Sequence, residues 1–176
     1  MLPVISQDES GRVLQILPHA VAKLKNTAVL AAPPNRTGIY APSLETAASV
    51  LFTTIAAGDV AVHLGKFGPD LNRHFGRTDA GWHQEKSLAL PVTRRRDCWR
   101  GAWNDMSLGT GLSFVGHAAV ATVSGFIVDV ASVTGASICP CGCNGVVFDL
   151  QDPSPEAAAR YRGRRIAVPP RGKKWT

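Results

Sequence analysis

AAVATVSGFIVDVA, residues 118–131, is the stretch whose reading decides the fold. Ala118, Val120 and Thr122 alternate with Ala119, Ala121 and Val123, the two-residue period of a strand. Ser124–Gly125 then supplies a two-residue turn. Beyond it Phe126, Val128 and Val130 fall on one side, with Ile127, Asp129 and Ala131 opposite. The stretch predicts an antiparallel hairpin with a small-residue face. Val146 to Leu150 adds another strand.

Working outward, the pattern remains one of short elements broken by turns. Val60, Val62 and Leu64 alternate after Asp59, and a hairpin turning at Ala57–Gly58 is expected to join them to the β-branched run before it. Leu44, Ala47, Ala48, Leu51 and Ile55 also recur at helical spacing, with Ser43 as a candidate N-cap; the β-branched residues favour the strand. Lys66 to Trp82 is polar and glycine-rich, the composition of a long loop. His83 to Leu90 fits a short helix or a strand. Pro18 fits the first position of a short helix carrying Val21 and Leu24 on one face as far as Asn26. Ser154–Pro155–Glu156 is a helix start, and Gly163 a stop, for a helix reaching about Arg162. Ile166 to Val168 fits a last short strand.

The fold class expected is therefore mainly β, an antiparallel β-sandwich or barrel-like domain with one or two short helices. It divides into an extended arm or loop segment over 1–42, a β-rich core over 43–152, and a short helix plus basic tail over 153–176. No repeat at a solenoid or propeller period is visible.

Charge separates the body from its end. The 176 residues hold 19 basic and 13 acidic side chains. Seven of the bases lie after residue 156, with no acid: Arg160, Arg162, Arg164, Arg165, Arg171, Lys173 and Lys174. The remainder is left with 12 basic against 13 acidic side chains, a net charge of −1. Clustered cations of this kind offer a field for nucleic acid or another acidic surface. A nearly neutral body with only 18% charged residues suits faces covered by neighbours. No apolar run approaches the roughly 18 residues of a membrane span. Residues 1–10 lack a basic segment and carry Asp8 and Glu9, so export by a signal peptide is not expected.

Four cysteines carry most of the chemistry. Cys139, Cys141 and Cys143 alternate within Cys139–Pro140–Cys141–Gly142–Cys143, and Cys98 stands apart. Thiolates are good zinc ligands, and Pro140 and Gly142 let the chain curl so that sulfurs converge. A histidine or Cys98 would complete the shell; His83 is the candidate. Disulfide bonding and plain reduced thiols remain as alternatives.

His83–Gln84–Glu85, followed by Pro140–Cys141–Gly142–Cys143, resembles the His-x-Glu and Pro-Cys-x-x-Cys pair of zinc-dependent nucleoside and nucleic-acid deaminases. The resemblance implies that His83, Cys141 and Cys143 hold zinc while Glu85 moves protons to a zinc-bound hydroxide. The cysteine spacing is one residue shorter than that family's. Cys98, His117 and Asp129 occur in the Cys-His-Asp order of transglutaminase-like hydrolases, which implies a thiol nucleophile at Cys98. His19, His63 and His74 show no partner in the sequence. Trp82, Trp99, Trp103 and Trp175 read as core or interface anchors.

The functional expectation is a structural or assembly protein without catalytic activity, a virus or phage particle component such as a capsid, cement or tail subunit, located in a virion or an intracellular assembly. Its expected partners are copies of itself and, through the tail, nucleic acid or an acidic surface. The enzymatic alternative is the deaminase-like zinc centre of His83, Glu85 and the Cys139–Cys143 cluster.

Overall fold

A computed structural model describes residues 2–34 and 37–167. Its centre is the hairpin of strands β7 (Ala118–Val123) and β8 (Phe126–Ile138), which pair antiparallel. Ser124 and Gly125 turn it with φ of 48° and 86°. Two successive positive φ values match the right-handed twist of the flanking strands, and Gly125 adopts its value without steric cost.

The predicted alternation fails at one residue. Ala121 pairs with Asp129 and Thr122 with Ile127, so Val128 is bulged. A bulge adds one residue to one strand and reverses the side-chain phase beyond it. Val128 therefore packs with the main core, whereas Val130 joins a small cluster with Ala118, Val120 and Tyr161.

The sheet has five strands in the order β3 (Val60–His63), β7, β8, β9 (Val146–Gln151), β6 (Gly101–Trp103). β3 runs parallel to β7 and the other pairings are antiparallel, so the sheet is mixed. Two smaller ladders lie outside it: β1 (Val4–Ile5) with β2 (Ile39–Tyr40), and β4 (Gly68–Pro69) with β5 (Asp79–Ala80). Helix and strand are present in comparable amounts. The mainly-β expectation therefore holds in part: a curled β-sheet forms the centre, but the helices are as extensive as the strands. Helices rather than a second sheet cover the core, because three apolar helical faces lie before residue 49.

Those faces belong to α1 (Gln7–Leu14), α2 (Pro18–Asn26) and α3 (Ala41–Ala48). Residues 1–42 are thus not an extended arm. Ser6 caps α1 by accepting the Glu9 N–H, and Asp8 and Glu9 favour its positive end. Leu14, Val21, Leu24, Leu30 and Ile39 are buried against Val60, Val62, Ala119, Ala121, Val133 and Phe148. The expected hairpin at Ala57–Gly58 is also absent. Helical spacing of Leu44 and Ala47, with Pro42 in the first turn, outweighs β-propensity there. β3 finds its partner in β7 instead, far along the chain.

α4 (Gln84–Ala89), α5 (Val92–Asp97) and α6 (Leu108–Ser113) lie on the long crossover from β3 to β7. On the other face of the sheet α7 (Pro155–Tyr161) places Tyr161 against Ala118, Val120 and Val130. Ser154 caps this helix through the Ala157 N–H, and Gly163 follows it at φ 66°, as expected. Ile166 is described but lies in no strand, and Val168 lies outside the described residues. No helix among the described residues is long and apolar enough to cross a membrane.

Candidate metal centre and its cavity

The β8–β9 connection presents the thiols. Ile138 ends β8, Val146 opens β9, and the loop between them is closed by the Cys139 N–H donating to Gly145 O at 2.7 Å. Gly142 (φ 81°) and Asn144 (φ 56°) take the left-handed conformations that let so short a loop turn back. Cys139 is buried beneath it, Cys141 is exposed and Cys143 is half-buried. The Cys139 and Cys141 sulfurs are 2.9 Å apart as free thiols.

A second loop, between β4 and β5, brings the histidine. Asp70 is buried and organises residues 70–77 with both carboxylate oxygens. It accepts the Asn72 N–H at 3.3 Å, the His74 N–H at 3.2 Å, His74 Nδ1 at 2.9 Å and Arg77 Nε at 2.5 Å. Burial alone would raise this carboxyl, but the bonds from Arg77 and His74 outweigh it and hold it below its ordinary value. Arg77 also donates to the carbonyls of Asp97 and Gly101, tying the loop to β6. Arg73 and Phe75 flank His74 at φ 45° and 41°. Such values strain a residue with a Cβ by about 1–3 kcal/mol each. The Asp70 bonds offset that strain, and guanidinium groups of Arg77 and Arg100 lie 4.9 and 4.3 Å from the Phe75 ring.

These loops bring His74, Cys141 and Cys143 together, with their ligand atoms all within 4.8 Å of one another. Tetrahedral zinc needs N···S and S···S separations of about 3.5–3.8 Å, given its bond lengths. The trio is therefore within roughly 1 Å of closing on an ion. With Nδ1 bonded to Asp70, Nε2 is the nitrogen left for a metal. A carboxylate behind a ligating histidine fixes its tautomer and increases its basicity.

His74 also lines a cavity of about 770 Å³, within the range of small-molecule sites. Its wall includes Lys23 from α2, His63 from β3, and Lys66 and Arg77 from the following segment; Trp99 and Trp103 complete the apolar side. No aspartate or glutamate is among the lining residues. His63 bonds Thr122 Oγ1 at 2.8 Å, and burial followed by the Lys23 charge lowers its pKa.

The residues singled out in the sequence distribute differently. His83 is the N-cap of α4, its Nδ1 accepting from the Lys86 N–H, and Glu85 is exposed in the first turn. Neither belongs to the metal-ligand grouping, so the deaminase-like constellation does not assemble. Cys139 lies beside Cys141 but outside the trio. The Cys98–His117–Asp129 set does not assemble either. Burial pushes the Cys98 thiol up to about 11, Asp129 accepts from Arg95 and Trp99, and His117 faces Asp59 at 3.8 Å.

The basic segment also divides. Arg160 pairs with Glu156 at 2.9 Å, Arg162 is exposed and Arg164 half-buried. Arg165 is buried, donating to Val50 O and Leu14 O and stacking over Phe52. It is a staple between distant segments and not part of a solvated tail. Arg171, Lys173, Lys174 and Trp175 lie outside the described residues.

His74, Asp70, Lys23 and Lys66 were not singled out as site residues from the sequence. The one local signal for the first pair is the four-residue spacing from Asp70 to His74 in a turn-forming segment. Comparison with known proteins returns no match, whether to family models, to curated proteins or to solved structures.

Proposed function

We propose that the protein is a zinc-dependent enzyme of hydrolytic type, with His74, Cys141 and Cys143 as protein ligands. The observation that carries this reading is the convergence of those three side chains, with Asp70 behind the histidine and His74 itself lining the cavity. Three protein ligands leave a fourth position for water or substrate, the arrangement of catalytic rather than structural zinc. A zinc ion held by these residues would supply Lewis acidity at the open position. The chain's own residues orient the imidazole through Asp70 and shape the cavity through β3, β6 and the β4–β5 loop. The reading keeps the zinc chemistry of the deaminase alternative and two of its cysteines, with His74 in place of His83.

Metal analysis of protein purified without chelator tests it. Near-stoichiometric zinc is expected, falling to background in both His74→Ala and Cys143→Ser while His83→Ala retains it. Metal-free wild-type protein that also fails to take up added zinc would overturn the reading.

A second reading, assembly with copies of itself in a particle, is favoured by a different observation. A groove of about 760 Å³ between the α1–α2 corner and Phe126 includes Leu17 and Phe52, which are 54% and 51% exposed. A second copy would cover these side chains, and the near-neutral body would not oppose the contact. The basic C-terminal residues would then meet nucleic acid or an acidic surface. Light scattering tests this: an oligomer that Leu17→Glu or Phe52→Glu dissociates is expected, and a wild-type monomer at high concentration would exclude self-assembly.

A further inference from the structure

We infer that the cavity beside the thiol–histidine cluster binds a phosphorylated small molecule through the ammonium groups of Lys23 and Lys66. This deepens the zinc reading by naming a substrate class, but the binding rests on a separate set of residues.

Charge on the wall is one-sided. Lys23, Lys66 and Arg77 line the cavity together with His63 and His74, and no carboxylate shares it. Arg77 is committed to Asp70 and to the carbonyls of Asp97 and Gly101. The lysines are different. Among the described residues neither has a carboxylate within ion-pair distance, although acidic side chains pair with arginines nearby. Lys23 is half-buried on α2, and loss of water alone depresses its pKa. An ammonium held partly out of water without a counter-ion is destabilising. A ligand anion would relieve that cost.

Phosphate is favoured over a carboxylate by the number and kind of donors. Half-buried Lys23 and exposed Lys66 come from separate segments, and Asn72 and Asn104 line the same wall, so two positive charges and further polar groups surround one anion-sized space. A phosphate dianion presents three acceptor oxygens, and point-charge lysines suit it. The volume exceeds that of phosphate alone and leaves room for an organic group beside Trp99 and Trp103.

The test is calorimetric titration of chelator-treated full-length protein with pyrophosphate, with citrate as the carboxylate probe. Saturable pyrophosphate binding is expected, at least tenfold tighter than citrate. Lys23→Gln and Lys66→Gln should each weaken it tenfold or more, with Lys23→Arg restoring most of the affinity. Circular dichroism of each variant should match the wild type. Because the protein is metal-free in this assay, a missing zinc site would leave the result unchanged, and failure here would leave the metal analysis standing. No saturable binding, equal affinity for citrate, or loss of binding only in the Arg171→Gln/Lys173→Gln/Lys174→Gln variant would overturn the assignment.

Discussion

Asp70 holds His74 twice, accepting its backbone N–H at 3.2 Å and its ring Nδ1 at 2.9 Å. One carboxylate therefore sets both the path of the chain through the β4–β5 loop and the direction of the imidazole. This pairing turns a histidine within a polar loop into a poised ligand facing two thiols.

Replacing Asp70 by Asn should accordingly weaken zinc binding more than it weakens the fold. Loss of such an outer carboxylate typically costs 10–100-fold in metal affinity. A chelator-competition titration of Asp70→Asn should show a loss of that order, with helix content retained by circular dichroism. An unchanged zinc affinity would mean that His74 is positioned without Asp70.

How much of this could be read beforehand follows from the range of each interaction. The β7–β8 hairpin, α2 and α7 were legible because strand alternation, a proline at the first helical position and a Ser-Pro-Glu start are local signals. α1 was missed because its cap at Ser6 precedes a polar run with little apolar periodicity. The bulge at Val128 and the parallel pairing of β3 with β7 depend on distant partners, for which no residue in either strand provides a marker. The cysteine loop was visible as a ligand source. Its histidine was not, because the contact joins residues 74 and 141 through two loops whose paths depend on Asp70, Arg77 and the Cys139–Gly145 bond.

The thiols should differ sharply in reactivity. Cys98 is buried, its pKa raised to about 11 first by desolvation and then by Asp79, so almost no thiolate exists at pH 7.5. Cys141 is exposed. Iodoacetamide labelling followed by mass spectrometry should modify Cys141 early and leave Cys98 intact until denaturant is added. Added zinc should slow labelling of Cys141 and Cys143 without affecting Cys98. Labelling of Cys98 at the rate of Cys141 would contradict its packing.

Tyr161 joins α7 to the start of β3. Its hydroxyl donates to Asp59 Oδ2 at 2.5 Å and accepts the Ala56 N–H at 2.9 Å, while Asp59 Oδ1 accepts the Ala118 N–H. Tyr161→Phe keeps the ring among Ala118, Val120 and Val130 but leaves a largely buried carboxylate without its hydroxyl donor. A loss of about 1–3 kcal/mol is expected from urea unfolding. A loss below about 0.5 kcal/mol would show that water replaces the hydroxyl at little cost.

His63 connects the cavity to the sheet and should report on both. Burial, and secondarily the charge on Lys23, lowers its pKa below 6.5. Lys66, His74 and Arg77 line the same cavity. The folded protein therefore takes up this proton less readily than the unfolded chain. The resulting stabilisation is present above pH 6.5 and is lost as pH falls from 6.5 through the folded value, where only the unfolded chain is protonated. His63→Gln removes that component, so its unfolding free energy should fall less than that of the wild type across this interval. Imidazole proton NMR should place His63 below the ordinary histidine range, and Lys23→Gln should move its midpoint upward by removing a neighbouring charge. An unshifted midpoint in Lys23→Gln would mean that the two groups do not share one electrostatic environment, and the case for a common anion site across that wall would weaken with it.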